Sequence, residues 1–258
     1  MKKLASIFTG PRITRTINII IYILFIYFSI TFVRDAENTA AKILITVLSV
    51  VALVVVTYYE YLMYINQNAI KALNYDCDPE KCKEYLDKLE RMDFFKGFRS
   101  NRIVFNTVYY LATYQPDKCI QVINENDKLF RDGLDALLIR NASLFIAYVE
   151  QNNKAQAKKI FPELNQLQGA KVKGKKIAIL YSWQELEALY CLMRNDFKNA
   201  CRAFEKVNTK YMNNREKTQY LYYYAKALKA NNKLDLAQAK YNELQKIANK
   251  LPVKDLGL

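Results

Sequence analysis

The sequence predicts an all-α protein, an N-terminal transmembrane helical hairpin followed by an α-solenoid of about five helix pairs. Three observations carry that prediction. Residues 17–33 and 43–59 are apolar runs without a single charged residue, which suits the interior of a bilayer. Beyond Ile65 the apolar residues recur at helical spacing between short polar turns, with no strand-like alternation. Within that region small residues recur at Cys82, Cys119, Ala157, Ala200 and Ala237, separated by 37, 38, 43 and 37 positions. A fixed period of this size is the mark of a stacked repeat.

The first 12 residues read as a basic cytoplasmic tail, with Lys2, Lys3 and Arg12. A cleaved signal peptide begins in the same way, with a basic segment and then an apolar one. Here the apolar run is 17 residues of bulky Ile, Tyr and Phe without a small-residue cleavage site, and a second run follows at once. The reading is therefore an uncleaved membrane helix. Seventeen residues rise about 26 Å, short of a hydrocarbon core near 30 Å, so the spans are extended to about 13–33 and 41–65. Tyr58, Tyr59, Tyr61 and Tyr64 form an aromatic belt at the headgroup level, with Glu60 among them.

Residues 34–42 separate the spans, and their charges cancel. Residues 66–258 carry 33 Lys and Arg against 22 Asp and Glu, most of the net charge of +14. Basic segments flank both outer ends of the hairpin. The positive-inside rule then predicts a multi-pass protein of the cell membrane, with both termini cytoplasmic, the short loop outside and a cytoplasmic domain at 66–258. Thr46, Ser49, Ala52 and Val56 share one helical face, where small residues allow close packing against the first span or a partner helix. Neither span has an ionisable group at mid-depth, which argues against an ion pathway. No Pro or Gly interrupts residues 43–74, so one helix is predicted to run from the second span into the first repeat.

In the following domain, Asp78-Pro79-Glu80, Pro116-Asp117 and Asn195-Asp196 are helix starts, and Asn152-Asn153 and Asn231-Asn232 are turns. Four positions after each small residue stands a large apolar one, Leu86, Ile123, Phe161, Phe204 and Tyr241. A helix pair per repeat, with a small residue where helices cross closely, meets the needs of a solenoid.

The last two units resemble tetratricopeptide repeats. Ala225 stands twelve positions before Ala237, Ala188 twelve before Ala200, and an aromatic residue, Tyr241 or Phe204, follows the second small residue by four. Phe197 and Leu234 fill the family's bulky position at the start of the second helix. The pattern departs from the family where Asn195 and Asn232 replace its turn glycine, where its Trp and Leu-Gly signature is missing, and in periods longer than about 34 residues. Asn tolerates a left-handed turn. The resemblance covers residues 175–250 best and implies a concave groove along the first helix of each pair. That places Ser182, Glu185, Tyr222, Lys226 and Lys229 as partner-binding candidates.

Catalytic chemistry finds no support in the sequence. There is no His, the commonest general base. The six glycines form no phosphate loop. Glu185 and Glu187 lie on different helix faces and read as solvated. Five cysteines, an odd number without a repeated pair spacing, read as reduced cytosolic thiols rather than a zinc site or disulfide framework. Tyr220, Tyr222, Tyr223 and Tyr224 cannot share one face at 100° per residue, so the run should divide between core and surface.

The densest basic segment, residues 171–176, presents Lys171, Lys173, Lys175 and Lys176 after Lys154, Lys158 and Lys159. It reads as a lengthened inter-repeat loop or as an anionic contact, to lipid headgroups or to an acidic protein segment, worth about 1 kcal/mol per base near the surface. No aromatics interleave with it, which disfavours nucleic acid. The function expected is a membrane-anchored adaptor or scaffold for a protein partner, without cofactor, metal or enzymatic activity. The alternatives are a regulator binding anionic lipid or polymer through the basic loop, and an accessory subunit of a membrane complex. The Ile-, Lys-, Asn- and Tyr-rich composition points to an AT-rich bacterial genome.

Overall fold

A computed structural model describes residues 11–172, 175–176 and 181–258, with side chains over 18–170 and 181–258. The chain divides into two compact units, Met1–Met63 and Tyr64–Leu258.

The first unit holds α1 (Pro11–Asp35) and most of α2 (Thr39–Asn74). Both helices are long and apolar enough to cross a membrane. With 25 residues α1 rises about 37 Å, enough for the hydrocarbon core. Its large side chains point outward, as in Ile23 at 61% exposed and Phe32 at 63%, a surface that only lipid or another helix would cover without cost. The hydroxyls of Thr31, Thr46 and Thr57 donate to the carbonyls of Tyr27, Lys42 and Leu53, which satisfies them inside their own helix. Glu60 accepts a bond from Asn18 Nδ2 at 2.9 Å, tying the arms together at one end. Ser49 and Ala52 are partly covered, while Thr46 and Val56 of the expected small-residue face are exposed. As anticipated from the missing helix breakers, α2 is unbroken to Asn74.

The second unit continues with α3 (Pro79–Met92), α4 (Arg99–Ala112), α5 (Pro116–Glu125), the single turn α6 (Asp127–Phe130), α7 (Leu134–Glu150), α8 (Lys154–Gln166), α9 (Trp183–Met193), α10 (Phe197–Glu205), α11 (Asn214–Ala230) and α12 (Leu234–Ile247). Two-residue strands β1 (Lys171–Val172) and β2 (Lys175–Lys176) pair antiparallel between α8 and α9. Nothing in the sequence signals a strand there.

One turn geometry recurs five times. Cys77, Tyr114, Asn152, Asn195 and Asn232 have positive φ, between 51° and 63°. Each stands five positions before a small residue, Cys82, Cys119, Ala157, Ala200 or Ala237, and all five of those are 0% exposed. In four of the turns the next N–H reaches back five residues: Gln115 to Tyr110, Asn153 to Tyr148, Asp196 to Cys191 and Lys233 to Leu228, at 2.8–2.9 Å. In the first, Asp78 reaches Ala72 at 2.8 Å. This is the left-handed helix stop, in which a carbonyl of the ending helix is satisfied before the next helix begins. Side chains of Asp78, Asn153 and Asp196 then cap the new helices through the N–H groups of Lys81, Gln156 and Asn199. Cys77 and Tyr114 thus perform the turn that Asn performs in the later units.

Among the described residues five successive helix pairs result; α4–α5, α7–α8, α9–α10 and α11–α12 pack along their buried small residues, whereas the end of α2 meets α3 through a small core of Ala69, Leu73, Cys82 and Leu86. Phe145, Leu164, Phe204, Leu221 and Leu244, all at most 1% exposed, belong to one core that runs through these pairs. The fourth pair starts late because the β1–β2 hairpin lengthens its lead-in, which accounts for the 43-residue separation.

In an open solenoid each repeat touches only its neighbours. Here the last pair also meets the first. Arg215 Nε donates to Asn74 Oδ1 at 2.8 Å, Asn214 Nδ2 to the Tyr75 carbonyl at 2.6 Å, and Asn249 Nδ2 to the Asp76 carbonyl at 2.7 Å. The Lys250 N–H bonds the Cys77 carbonyl at 3.1 Å, and its ammonium lies 2.8 Å from Asp78 Oδ2. Leu251 completes a small core with Ala69, Leu73, Leu86 and Val108.

Candidate interaction groove

The five predicted groove residues do not form one surface. Ser182 caps α9 by accepting from the Glu185 N–H at 3.1 Å, while Glu185 accepts from the Ser182 N–H at 3.0 Å. This reciprocal capping box consumes both side chains. Glu185 is 8% exposed rather than solvated, and burial raises its carboxyl above the usual range. Glu187 is exposed as expected. Tyr222 is 4% exposed, edge-on to Tyr114 at 5.8 Å. Only Lys226 is exposed and Lys229 half-covered.

The tyrosine run does not divide. Tyr220, Tyr222, Tyr223 and Tyr224 are all at most 9% exposed, because α11 is enclosed by α9, α10, α12 and the segment 252–258. Their hydroxyls reach out along different directions: Tyr220 to the Phe204 carbonyl at 3.3 Å, Tyr223 to Glu150 Oε1, and Tyr224 to Glu205 Oε1 at 3.4 Å. Burial, reinforced by the Glu150 charge, holds the Tyr223 phenol far above its ordinary value, and burial pushes Tyr222 up to about 12. None of these phenols ionises near neutrality.

A groove does exist, and it is occupied. After α12 residues 252–258 run without regular structure, with Val253, Leu256 and Leu258 packed on the main core. Lys229 Nζ donates to the carbonyls of Leu256 and, at 3.1 Å, Gly257. Lys254 Nζ lies 2.5 Å from Glu150 Oε2 and 4.4 Å from the centre of the Tyr114 ring. The Glu150 side chain is 6% exposed. Beside this segment is a small cleft bordered by Leu111, Tyr114, Arg215, Tyr223, Leu251 and Pro252. Lys229 is thus the one predicted residue that the groove uses. Glu150, Tyr114 and Tyr223 go unsignalled in the sequence, since a Glu at the end of a helix is ordinary. The recurrence of Leu251, Val253, Leu256 and Leu258 around Lys254 and Asp255 is the cue that marks the segment.

Of the basic-loop candidates, Lys171, Lys175 and Lys176 lie on the β1–β2 ladder, in the register Lys171 to Lys176 and Val172 to Lys175. Lys173 lies outside the described residues. Lys154, Lys158 and Lys159 are exposed on α8.

Among the described residues no group of three or more His, Cys, Asp or Glu could hold a metal ion. The five thiols are free, and all but Cys191 are buried. Burial pushes Cys82 and Cys119 up to about 12, which keeps them unreactive. No protein-family model matches the chain, and no curated protein or solved structure matches it.

Proposed function

We propose that this chain is a membrane-anchored scaffold of tetratricopeptide-like helix pairs that binds a segment of a partner protein at the cytoplasmic face of a bacterial cell membrane. The observation that carries the reading is the groove itself. Side chains from three helix pairs converge on the irregular segment 252–258, Tyr114 beyond α4, Glu150 at the end of α7, and Tyr223 and Lys229 on α11. Paired-helix repeats bind extended chains in this manner, through side chains that grip backbone and a few anchors. The five left-handed turns and the buried small residues support the family reading. Two apolar helices, with basic segments at both outer ends, support a multi-pass anchor with both termini cytoplasmic. The chemistry on hand suits binding rather than catalysis.

The test is purification of the full chain from native membranes beside a full-length Glu150→Lys variant. A discrete protein recovered with the first and reduced at least fivefold with the second supports the scaffold. Recovery of no discrete protein with the full chain overturns it. Topology is checked by reporter fusions after residues 36 and 258, with external activity expected only for the first. A second reading has one observation in its favour: Lys171, Lys175 and Lys176 stand together on the β1–β2 ladder. Flotation with anionic liposomes that disappears when Lys171, Lys175 and Lys176 become Gln would favour lipid contact.

A further inference from the structure

We propose that the Glu150 groove recognises an extended partner segment in which a Lys or Arg stands between aliphatic residues, and that residues 252–258 occupy it in cis as a displaceable competitor. The inference deepens the scaffold reading by stating what the groove selects. It starts from a buried charge. The Glu150 carboxylate, 6% exposed, receives the Tyr223 hydroxyl and one cation, Lys254. A carboxylate so enclosed is costly unless a cation answers it. That enclosure holds with 252–258 in place, and a partner segment seated in the same groove would bury the carboxylate again, so it must bring a cation to the same place. The Tyr114 ring, 4.4 Å beneath the Lys254 ammonium, adds a face that favours Lys or Arg over a neutral residue.

The flanking positions specify apolar neighbours. Val253 and Leu256 bracket Lys254, and both pack on the main core together with Leu258. Lys229 holds the backbone carbonyls of Leu256 and Gly257, contacts to main-chain atoms that do not depend on the side chains there. The groove thus reads an aliphatic residue, a basic residue, a spacer and a second aliphatic residue.

The occupant is held shallowly. Pro252, Lys254, Asp255 and Gly257 are exposed, and Val253, Leu256 and Leu258 are only partly covered. Among the described residues no backbone–backbone hydrogen bond joins 252–258 to the rest of the chain. The Gly257 N–H is used within the segment, on Asp255 Oδ1 at 2.8 Å. Segments with few buried contacts and no ladder open at low cost. The true fixing point is one residue earlier, where Leu251 and the Lys250 backbone are locked onto the first helix pair. That leaves a short tether and an effective concentration of order 1 mM.

The experiment uses the full chain in detergent micelles and a fluorescent peptide of residues 251–258, with binding read by anisotropy. A variant ending at Leu251 should bind the peptide. The intact chain should bind it about 100-fold more weakly, the ratio of a roughly 1 mM tether to a peptide Kd of about 10 μM. Two changes should each cost the shortened variant at least tenfold, Glu in place of Lys254 in the peptide and Glu150→Gln in the protein. A shortened variant with unchanged circular dichroism that ignores the peptide overturns the proposal. So does equal binding of the Glu-containing peptide. If shortening lowers the helical signal, the full-length Lys254→Ala, Leu256→Ser chain replaces it under the same two readings. Peptide binding of the expected specificity, with no partner recovered from membranes, refutes the scaffold and leaves the groove's selectivity standing. Capture of a partner unaffected by Glu150→Lys does the reverse.

Discussion

Replacing Asn232 by Val tests the turn on which the repeat depends. Asn232 holds φ at 58° between α11 and α12, and its successor's N–H bonds the Leu228 carbonyl at 2.9 Å. In the left-handed region a Cβ crowds the following carbonyl, at a cost of about 1–2 kcal/mol for an L-residue. Asn escapes much of that penalty and a β-branched side chain escapes none. Asn232→Val should therefore destabilise by about 1–2 kcal/mol, and Asn232→Gly should stay within about 0.5 kcal/mol, as relief of the Cβ offsets the freer unfolded chain. For a unit of this size that is a fall in Tm of about 2–8 °C for the Val substitution. The assay is thermal and urea unfolding by circular dichroism in one detergent, with Asn195→Val, at φ 63°, as a second site. An Asn232→Val chain as stable as the Asn232→Gly chain would mean that the turn is not left-handed, and the five-turn register would fall with it.

Other expectations follow from single contacts. Ser182→Ala removes the capping box of α9 and should cost about 1 kcal/mol, with peptide binding at the groove unchanged; a selective loss of binding would restore Ser182 to the site. Asp78 sits below its ordinary value of 3.8, chiefly through its hydrogen bond from Lys250 and then through the Lys81 N–H. A lowered carboxylate contributes stability that is complete above its unfolded pKa and fades as pH falls through the lowered one. The gap in Tm between the wild-type and Lys250→Ala chains should be present at about pH 6 and shrink as pH drops below 3.8. A gap independent of pH would show that the Lys250 side chain acts by packing instead.

The parts of this fold legible in sequence are those set by nearby residues. Missing helix breakers foretold the unbroken α2, and Pro79, Pro116 and Asp196 marked helix starts where α3, α5 and α10 begin. Asn195 and Asn232 announced left-handed turns because Asn tolerates that geometry, and Asn152, read simply as a turn, adopts the same φ. Cys77 and Tyr114 make the same turn under residue types that carry no such prior, so two of the five were hidden. Ser182-Trp183-Gln184-Glu185 spells a capping box in its spacing alone, and reading it as groove lining overlooked that local rule. The tyrosines of α11 misled for another reason. Packing on several sides of α11 buries all four tyrosines and leaves few exposed positions such as Lys226, and periodicity cannot distinguish that from amphipathic placement. The closure between Arg215 and Asn74, and the bond from Lys254 to Glu150, join residues 141 and 104 positions apart, and no pattern local to either residue records them.

The measurement closest to the central claim places a photo-crosslinking amino acid at the exposed position Lys226, one turn from Tyr222 and Lys229, in the full chain within native membranes. A matched chain carries it at the exposed Lys246 on α12. The account predicts a discrete protein adduct at position 226, stronger when Lys254→Glu loosens 252–258 and suppressed by excess peptide 251–258. Adducts that are the same from both positions, indifferent to the peptide and to Lys254→Glu, would contradict it.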